Sequence, residues 1–486
     1  MDSSRVKPYF LAACSVTLLY LSSGALTGWA SPALPRLRAA EGGGVTALSP
    51  AQQSWVAALA HLAHAAAALP AAALADRAGR HPALLLAAAP FLAAWALTAL
   101  AGLLAPPPPP HDQGAWPVVL PLLLAARVAG GAGAGAAYTV GAMYLGEVAA
   151  DGVRGAVGTL FQLALNAGVM LEFCLGPYVG YAPLAAASAA APALFLATFA
   201  LAPESPYYLL MKGEREAARA ALARLRGARA ASAAVEAELA QMARTVAARA
   251  ARRAGLRDLL AAPCNQRALC VCVGLYTTAL LSGHVVVLSY ATRIFQLSRS
   301  ALDADVCAVA LGAVQIVTSV ASSGLVDVAG RRPLLMASCA GCAASLAAEG
   351  AYFYAGDAAR EAVFWLPLAA LLCFLVSFTL GLGSVPGAIL SEVFHTDVKA
   401  AATAFISMYH ALMSFCIVKF MMAPVYELHL MFWCFSAFCT AGIFFVWFLV
   451  PETKGKTLLE VHYELQNGFV MKEISPEKET LISPVR

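Results

Sequence analysis

Asp76-Arg77-Ala78-Gly79-Arg80 returns 251 residues later (327 − 76) as Asp327-Val328-Ala329-Gly330-Arg331, followed by Arg332. Glu147, with Arg154 seven residues on, returns as Glu392 with Lys399 at an offset of 245 (392 − 147). Pro203-Glu204-Ser205-Pro206 returns as Pro451-Glu452-Thr453-Lys454 at an offset of 248 (451 − 203). Three unrelated motifs at nearly one offset mark two homologous halves. A duplication of this kind among apolar runs is how a carrier that rocks two bundles about a central site is built.

The runs around these motifs are long enough to cross a bilayer as helices. Six lie at 9–30, 52–74, 82–104, 116–142, 155–177 and 181–202, and six at 267–290, 305–326, 333–353, 365–389, 401–423 and 429–450. The 486 residues are 60% hydrophobic and only 12% charged, with a mean hydropathy of +0.72, which excludes most soluble enzymes. We therefore expect an all-α membrane protein with twelve transmembrane helices in two homologous six-helix bundles, residues 1–202 and 265–450. A cytoplasmic helical linker, 203–264, joins them, and 451–486 forms a cytoplasmic tail that reads as disordered beyond Glu460. The net charge of +4 is too small and too spread for a nucleic-acid partner. The expected partners are the lipid bilayer and a small solute, with the chain monomeric.

The linker sets the orientation. It carries Lys212, Arg215, Arg219, Arg224, Arg226, Arg229, Arg244, Arg249, Arg252, Arg253 and Arg257, and basic loops stay in the cytoplasm. The loops 75–81 and 327–332 are likewise dense in Arg, whereas Pro106 to Pro110 and Leu302 to Val306 carry no Lys or Arg. An even number of spans then puts both termini in the cytoplasm, and the expected location is the plasma membrane. The first run has no small-residue cleavage site ahead of Gly28 and reads as a retained span. Pro106 to Pro110 is either a stiff polyproline connector or compositional drift. The 12 cysteines read as small core residues, not as disulfides or a zinc site.

Each repeated motif falls at an expected cytoplasmic helix end. Asp76, Arg77, Arg80, Glu147, Arg154 and Glu204 of one half, and Asp327, Arg331, Arg332, Glu392, Lys399 and Glu452 of the other, have two readings. They either form gating networks that close the inner side, or are charges that snorkel from helix ends.

These motifs, with Arg127 and the glycine run Gly130 to Gly135, Tyr144-Leu145-Gly146-Glu147-Val148 and Arg154-Gly155, resemble the sugar-porter family of the major facilitator superfamily. Within it, Gly28-Trp29-Ala30-Ser31-Pro32-Ala33-Leu34-Pro35 and Pro206-Tyr207-Tyr208-Leu209 are similar to the arthropod facilitated trehalose transporters. The resemblance covers about residues 10 to 460. It implies the major facilitator fold and a sugar site between the halves, lined by spans five, seven, eight, ten and eleven. Gln162 stands where the family places a sugar-binding Gln, and Gln315 at the span-eight amide position. Asn166 lies one turn from Gln162, so both amides share a helix face. They either bind hydroxyls or only knit helices together.

Span seven departs from the family. Where the family reads Gln-Gln-Leu-Ser-Gly-x-Asn, this chain reads Ala279-Leu280-Leu281-Ser282-Gly283-His284-Val285. In span ten, Gly-Pro-x-Pro-Trp is replaced by Gly383-Ser384-Val385-Pro386-Gly387, and span eleven has His410-Ala411 where Asn-Trp is common. Either the pocket is rebuilt from Gln162, Asn166, Gln315, Ser282, Thr278, Tyr290 and His410, or the protein carries another solute or senses a sugar with weak transport. A midplane His410 either binds ligand and titrates, or is simply hydrogen-bonded.

Resemblance to the family also bears on energy coupling. Proton-coupled members carry an acid in the first span, and none stands between Phe10 and Trp29, so the expected mode is facilitative uniport of a sugar such as trehalose or a hexose. Glu172 is the exceptional acid, about 80° off the Gln162 face at 100° per residue. It is either a functional buried carboxyl or, being near Pro177, an exposed rim residue. No motif of an enzyme is present, and no cofactor or metal is called for.

Overall fold

The computed structural model describes residues 8–38, 48–104, 116–149, 154–227, 232–252, 259–260, 262–298, 302–355, 357–394, 396–421, 427–456, 460–461 and 463–464. Pro106 to Pro110 and the tail beyond residue 464 lie outside these. Span one is Pro8–Gly28, continued after a turn at Trp29 by Ala30–Arg38. Spans two to six are Pro50–Ala78, Arg80–Leu104, Trp116–Val148, Arg154–Leu175 and Tyr181–Phe199. The linker forms Pro206–Met211, Arg215–Arg226 and Ala233–Arg252. Span seven is Pro263–Leu281 with His284–Ser298, span eight Ala304–Ala329 and span nine Arg331–Tyr354. Span ten is Leu366–Leu380 with Val385–Val393, span eleven Thr396–Met421 and span twelve Leu428–Leu449. Eleven of these are long and apolar enough to cross a membrane, and Leu160–Leu175, the apolar part of span five, supplies the twelfth.

The packing repeats between halves. Span one packs on five, two on four and three on six, and in the second half seven packs on eleven, eight on ten and nine on twelve. The halves join along five against eight and eleven against two, equivalent pairs under the duplication read from the sequence, and the second pieces of spans one and seven also pack on each other.

The sequence predicts unbroken runs at 267–290 and 365–389, and the structure breaks both. Span seven turns at Ser282 and Gly283, where Gly283 takes φ +82° beside the Phe435 ring. That left-handed backbone is open to Gly without the clash a Cβ brings. Span ten turns over Gly381 to Ser384, the segment where the family motif is altered.

The glycine run of span four works by close approach. A Cβ on Gly131 would strike the Ala60 carbonyl, and one on Gly135 the His64 carbonyl. Span two therefore lies directly on the backbone of span four, the small-residue packing that bundles in lipid favour. The linker helices share a small core of their own, Ala218, Leu222, Ala223, Val235, Leu239 and Met242. Arg226 ties that core to the first half: it grips Glu238 with Nη2 at 2.7 Å and donates from Nη1 to the Val148 carbonyl at 3.0 Å. A guanidinium there satisfies a carbonyl that the end of span four leaves open.

All 12 cysteines are free. Cys264, Cys272, Cys307, Cys339, Cys342 and Cys439 are buried as expected of core residues, but Cys270, Cys373, Cys416 and Cys434 are exposed on outward helix faces. A thiol is apolar enough to face lipid, so its place in an apolar run did not decide which way it points.

Candidate functional site

At the linker ends of the spans, the repeated motifs build two matching clamps. In D-x-A-G-R, the chain turns from span two into three and from eight into nine through Gly79 (φ +112°) and Gly330 (φ +89°). The following helix N-termini leave amides without intrahelical acceptors, and an acid from a distant loop takes them. Glu204 accepts from the Arg80 and His81 amides at 3.1 Å. Glu452 accepts from the Arg331 and Arg332 amides at 3.1 and 3.0 Å. Burial pushes the Glu452 carboxyl up, but the backbone amides of Lys454, Arg332, Arg331 and Thr453 outweigh it and hold it below its ordinary value.

The arginine of the turn grips the span-end glutamate. Arg80, only 3% exposed, meets Glu147 with Nε and Nη2, both at 3.1 Å, and Asp76 with Nη1 at 3.2 Å. Arg331 Nη2 meets Glu392 at 2.9 Å. The hydroxyl after each capping acid closes the ring, Ser205 on Glu147 and Thr453 on Glu392, the latter at 2.6 Å. The motif acids thus divide the work, since Glu204 and Glu452 cap helices while Glu147 and Glu392 carry the ion pairs. Sequence reasoning grouped all four as one charge network and missed the caps; the signal was an acid after proline, offset equally from the D-x-A-G-R turn in both halves.

The other predicted gate residues are less engaged. Arg77 is exposed and contributes its carbonyl, which accepts from Tyr208 Oη at 3.0 Å. Arg332 lies over the Trp447 ring and donates to the Trp447 carbonyl. Lys399 Nζ donates to the Ser391 carbonyl at 3.0 Å. The side chains of Arg154 and Asp327 lie outside the described residues. The ion pairs described here join elements of the same half, one set in each.

At mid-depth, the predicted amides do meet. Gln162 donates to Asn166 at 3.0 Å, Asn166 to Ser319 Oγ of span eight at 2.7 Å, and Ser319 to the main-chain carbonyl of Gln315, one turn back in the same helix, at 2.8 Å. Gln315 Nε2 lies 3.2 Å from His284 Nε2, whose ring stacks on Phe378 at 4.0 Å. One polar chain therefore crosses from the first half to the second. Gln162 and His284 are half-buried, while Asn166 and Gln315 are buried.

Two expected pocket residues sit elsewhere. Ser282 is fully buried and its hydroxyl turns back to the Ala279 carbonyl at 2.7 Å, so it serves the break in span seven instead of facing a cavity. Thr278 does the same one turn earlier, bonding the Gly274 carbonyl at 2.8 Å. Tyr290 is buried at a non-helical residue of span seven, φ −127°. His410 is half-buried, edge-on to Tyr276 with centroids 5.9 Å apart.

Glu172 is not a rim residue. It is fully buried, accepts from Ser188 of span six at 2.5 Å and lies within electrostatic reach of Arg127. Arg127 itself donates to the Leu26 carbonyl at 2.8 Å and covers the Trp29 ring at 3.9 Å. The reason is the piece of span one after Trp29, whose Pro32 packs against Gly176 and roofs this end of span five. Sequence reasoning also missed Glu349 of span nine, fully buried with neither carboxylate oxygen hydrogen-bonded among the described residues. An acid inside the run 333–353 was signal enough.

At the end opposite the linker, hydroxyls and a cation join the halves. Ser31 Oγ lies 3.1 Å from Thr292 Oγ1 and accepts from the Thr292 amide at 3.0 Å. Lys419 of span eleven donates to Ser54 of span two at 2.7 Å and sits over the Trp55 ring.

Two pseudo-equivalent bundles, a polar chain between them at mid-depth and paired clamps at one end define a twelve-helix protein of the major facilitator fold. The chain belongs to the sugar (and other) transporter family, which matches residues 22–465. It is 31% identical over 461 residues to the facilitated trehalose transporter Tret1 of Drosophila mojavensis, covering 94% of this chain and 51% of that one. The chain thus spans about half the length of that relative. Against Tret1 of Polypedilum vanderplanki it is 30% identical, and 87% of the relative is covered. Among solved structures, the xylose transporter XylE of E. coli in a partially occluded inward open conformation superposes with a TM-score of 0.75 at 23% identity, over 93% of this chain and 99% of that one. The proton:xylose symporter XylE bound to 6-bromo-6-deoxy-D-glucose gives 0.71 at 22%, over 94% and 98%.

Proposed function

We propose that the protein is a facilitative uniporter that carries a sugar such as trehalose or a hexose across the membrane by alternating access. The observation that carries this reading is the polar chain Gln162–Asn166–Ser319, which crosses between the two halves at mid-depth beside Gln315. Amides and hydroxyls both donate and accept, the chemistry a hydroxyl-rich solute needs. The proposed substrate also follows what the similar Tret1 proteins are named for. The units are residues 1–202, linker 203–264, bundle 265–450 and tail 451–486.

In this reading the linker side is cytoplasmic, both termini are inside, the membrane is the plasma membrane and the carrier works as a monomer. The basic linker and the Arg-dense loops support that orientation. The conformation is inward-facing: Ser31–Thr292 and Lys419–Ser54 seal the outer end, while each inner clamp stays within its own half. Rocking the halves would break the outer bonds and bring the inner clamps together, with the solute held between Gln162 and Gln315. A second reading, a carrier of a non-sugar solute or a weakly transporting sensor, is favoured by one observation, the loss of both glutamines and the asparagine from span seven.

The test is uptake of labelled trehalose and glucose into proteoliposomes beside Gln162→Ala. Saturable uptake that falls in the variant supports the uniporter, and folded protein that carries neither sugar sends the search to the second reading.

A further inference from the structure

Four imidazoles gather at the level of the amide chain. His61 and His64 share one face of span two, three residues apart, while His284 starts the second piece of span seven and His410 lies in span eleven. His410 is within electrostatic reach of each of the other three. All four residues are half-buried although they lie deep in their spans. His284 lies 3.2 Å from Gln315, which joins the group to the polar chain, and Gly135 brings the backbone of span two close enough to carry His64 inward. Nε2 of His64 is buried without a hydrogen-bond partner among the described residues.

Three spans of two different halves do not converge four rings by chance composition, since the chain has only nine histidines. Nor is the group a metal site: among the described residues no three His, Cys, Asp or Glu side chains are placed to hold an ion. A neutral imidazole offers one donor and one acceptor, as a hydroxyl does, and it stands where span seven has lost its amides. From this geometry we infer that His61, His64, His284 and His410 form the hydroxyl-recognising surface of the carrier, in place of the missing span-seven amides, and that they set its specificity for an uncharged polyol. The inference rests on the sugar-carrier reading above.

The neighbours decide how the site answers to acid. The titratable groups facing the rings are phenols, Tyr138 against His64 at 5.2 Å and Tyr276 against His410 at 5.9 Å, with Tyr409 held by Thr277 at 2.6 Å. The charged pair Arg127 and Glu172 is engaged elsewhere, by Leu26, Trp29 and Ser188. With no carboxylate described beside the rings, protonation removes acceptors and makes the rings repel one another. Binding of a neutral solute therefore weakens as pH falls.

The experiment measures KM for labelled trehalose and glucose in proteoliposomes over a pH series, without a gradient. Variants are His284→Phe, His410→Phe and the amide replacements His284→Gln and His410→Asn. The Phe variants should raise KM about tenfold, the loss of one hydrogen bond to ligand. The amide variants should keep KM within a few-fold and flatten the acid limb. Wild-type transport with unchanged KM in folded Phe variants overturns the inference alone. Wild-type protein that carries neither sugar overturns the sugar reading and this one with it.

Discussion

Arg80 and Glu147 meet through two parallel hydrogen bonds of 3.1 Å, and in the second half Arg331 Nη2 meets Glu392 at 2.9 Å. The planar guanidinium matches the carboxylate edge, so the end of span four is fixed to the turn between two and three. Removing the acid leaves Arg80 buried with a diminished set of partners. Glu147→Gln should therefore destabilise the detergent-solubilised protein by about 3 kcal/mol, the cost of breaking a buried pair from one side. Thermal unfolding checks this, and an unchanged Tm would count the clamp as ordinary surface charge.

The amide chain makes a sharper demand on transport than on folding. Gln162→Ala removes a half-buried amide whose described bond is to its own helix neighbour, so stability should change little. A lost hydroxyl contact costs about 1.4 kcal/mol, which is about tenfold in KM for the labelled sugar. Equal KM in the variant would remove Gln162 from the solute path.

The duplicated motifs made the fold legible, because a shared offset is independent of how each span packs. The clamps were legible as groups of charges and not as geometry. Whether Glu204 caps a helix or pairs with a cation depends on the Gly79 turn, which only the folded chain displays. Glu172 was misjudged because helix position alone cannot show that the piece of span one beyond Trp29 folds over it. Ser282 was misjudged because a hydroxyl beside a helix break satisfies its own backbone first. The imidazole group could not be read at all, since His61, His64, His284 and His410 come together only through the seam of spans two and eleven and the seven–eleven packing.

The outer seal should be lockable. Ser31 and Thr292 oxygens are 3.1 Å apart, so a Ser31→Cys, Thr292→Cys pair in a background without the native cysteines is close enough to cross-link. Oxidation should abolish uptake and a reductant restore it. Undiminished flux in fully cross-linked protein would show that this contact persists through the cycle.

Acid should loosen the second-half clamp through Glu452. Its carboxyl is held below its ordinary value by backbone amides, so its stabilising effect is present above the unfolded carboxylate range, about 4.3, and is lost as pH falls through the folded value. Glu452→Gln should lower Tm at neutral pH and lose part of the acid dependence. Parallel melting profiles for the two proteins would contradict that assignment.

The central claim, facilitative carriage through the mid-depth polar chain, is tested most directly by the plateau of labelled trehalose and glucose uptake in proteoliposomes with and without an inward proton gradient. The account predicts saturable uptake in which the internal concentration rises to the external one and stops there, gradient or none. Accumulation above the external concentration that collapses with the gradient would contradict it, and would direct attention to Glu172 and Arg127.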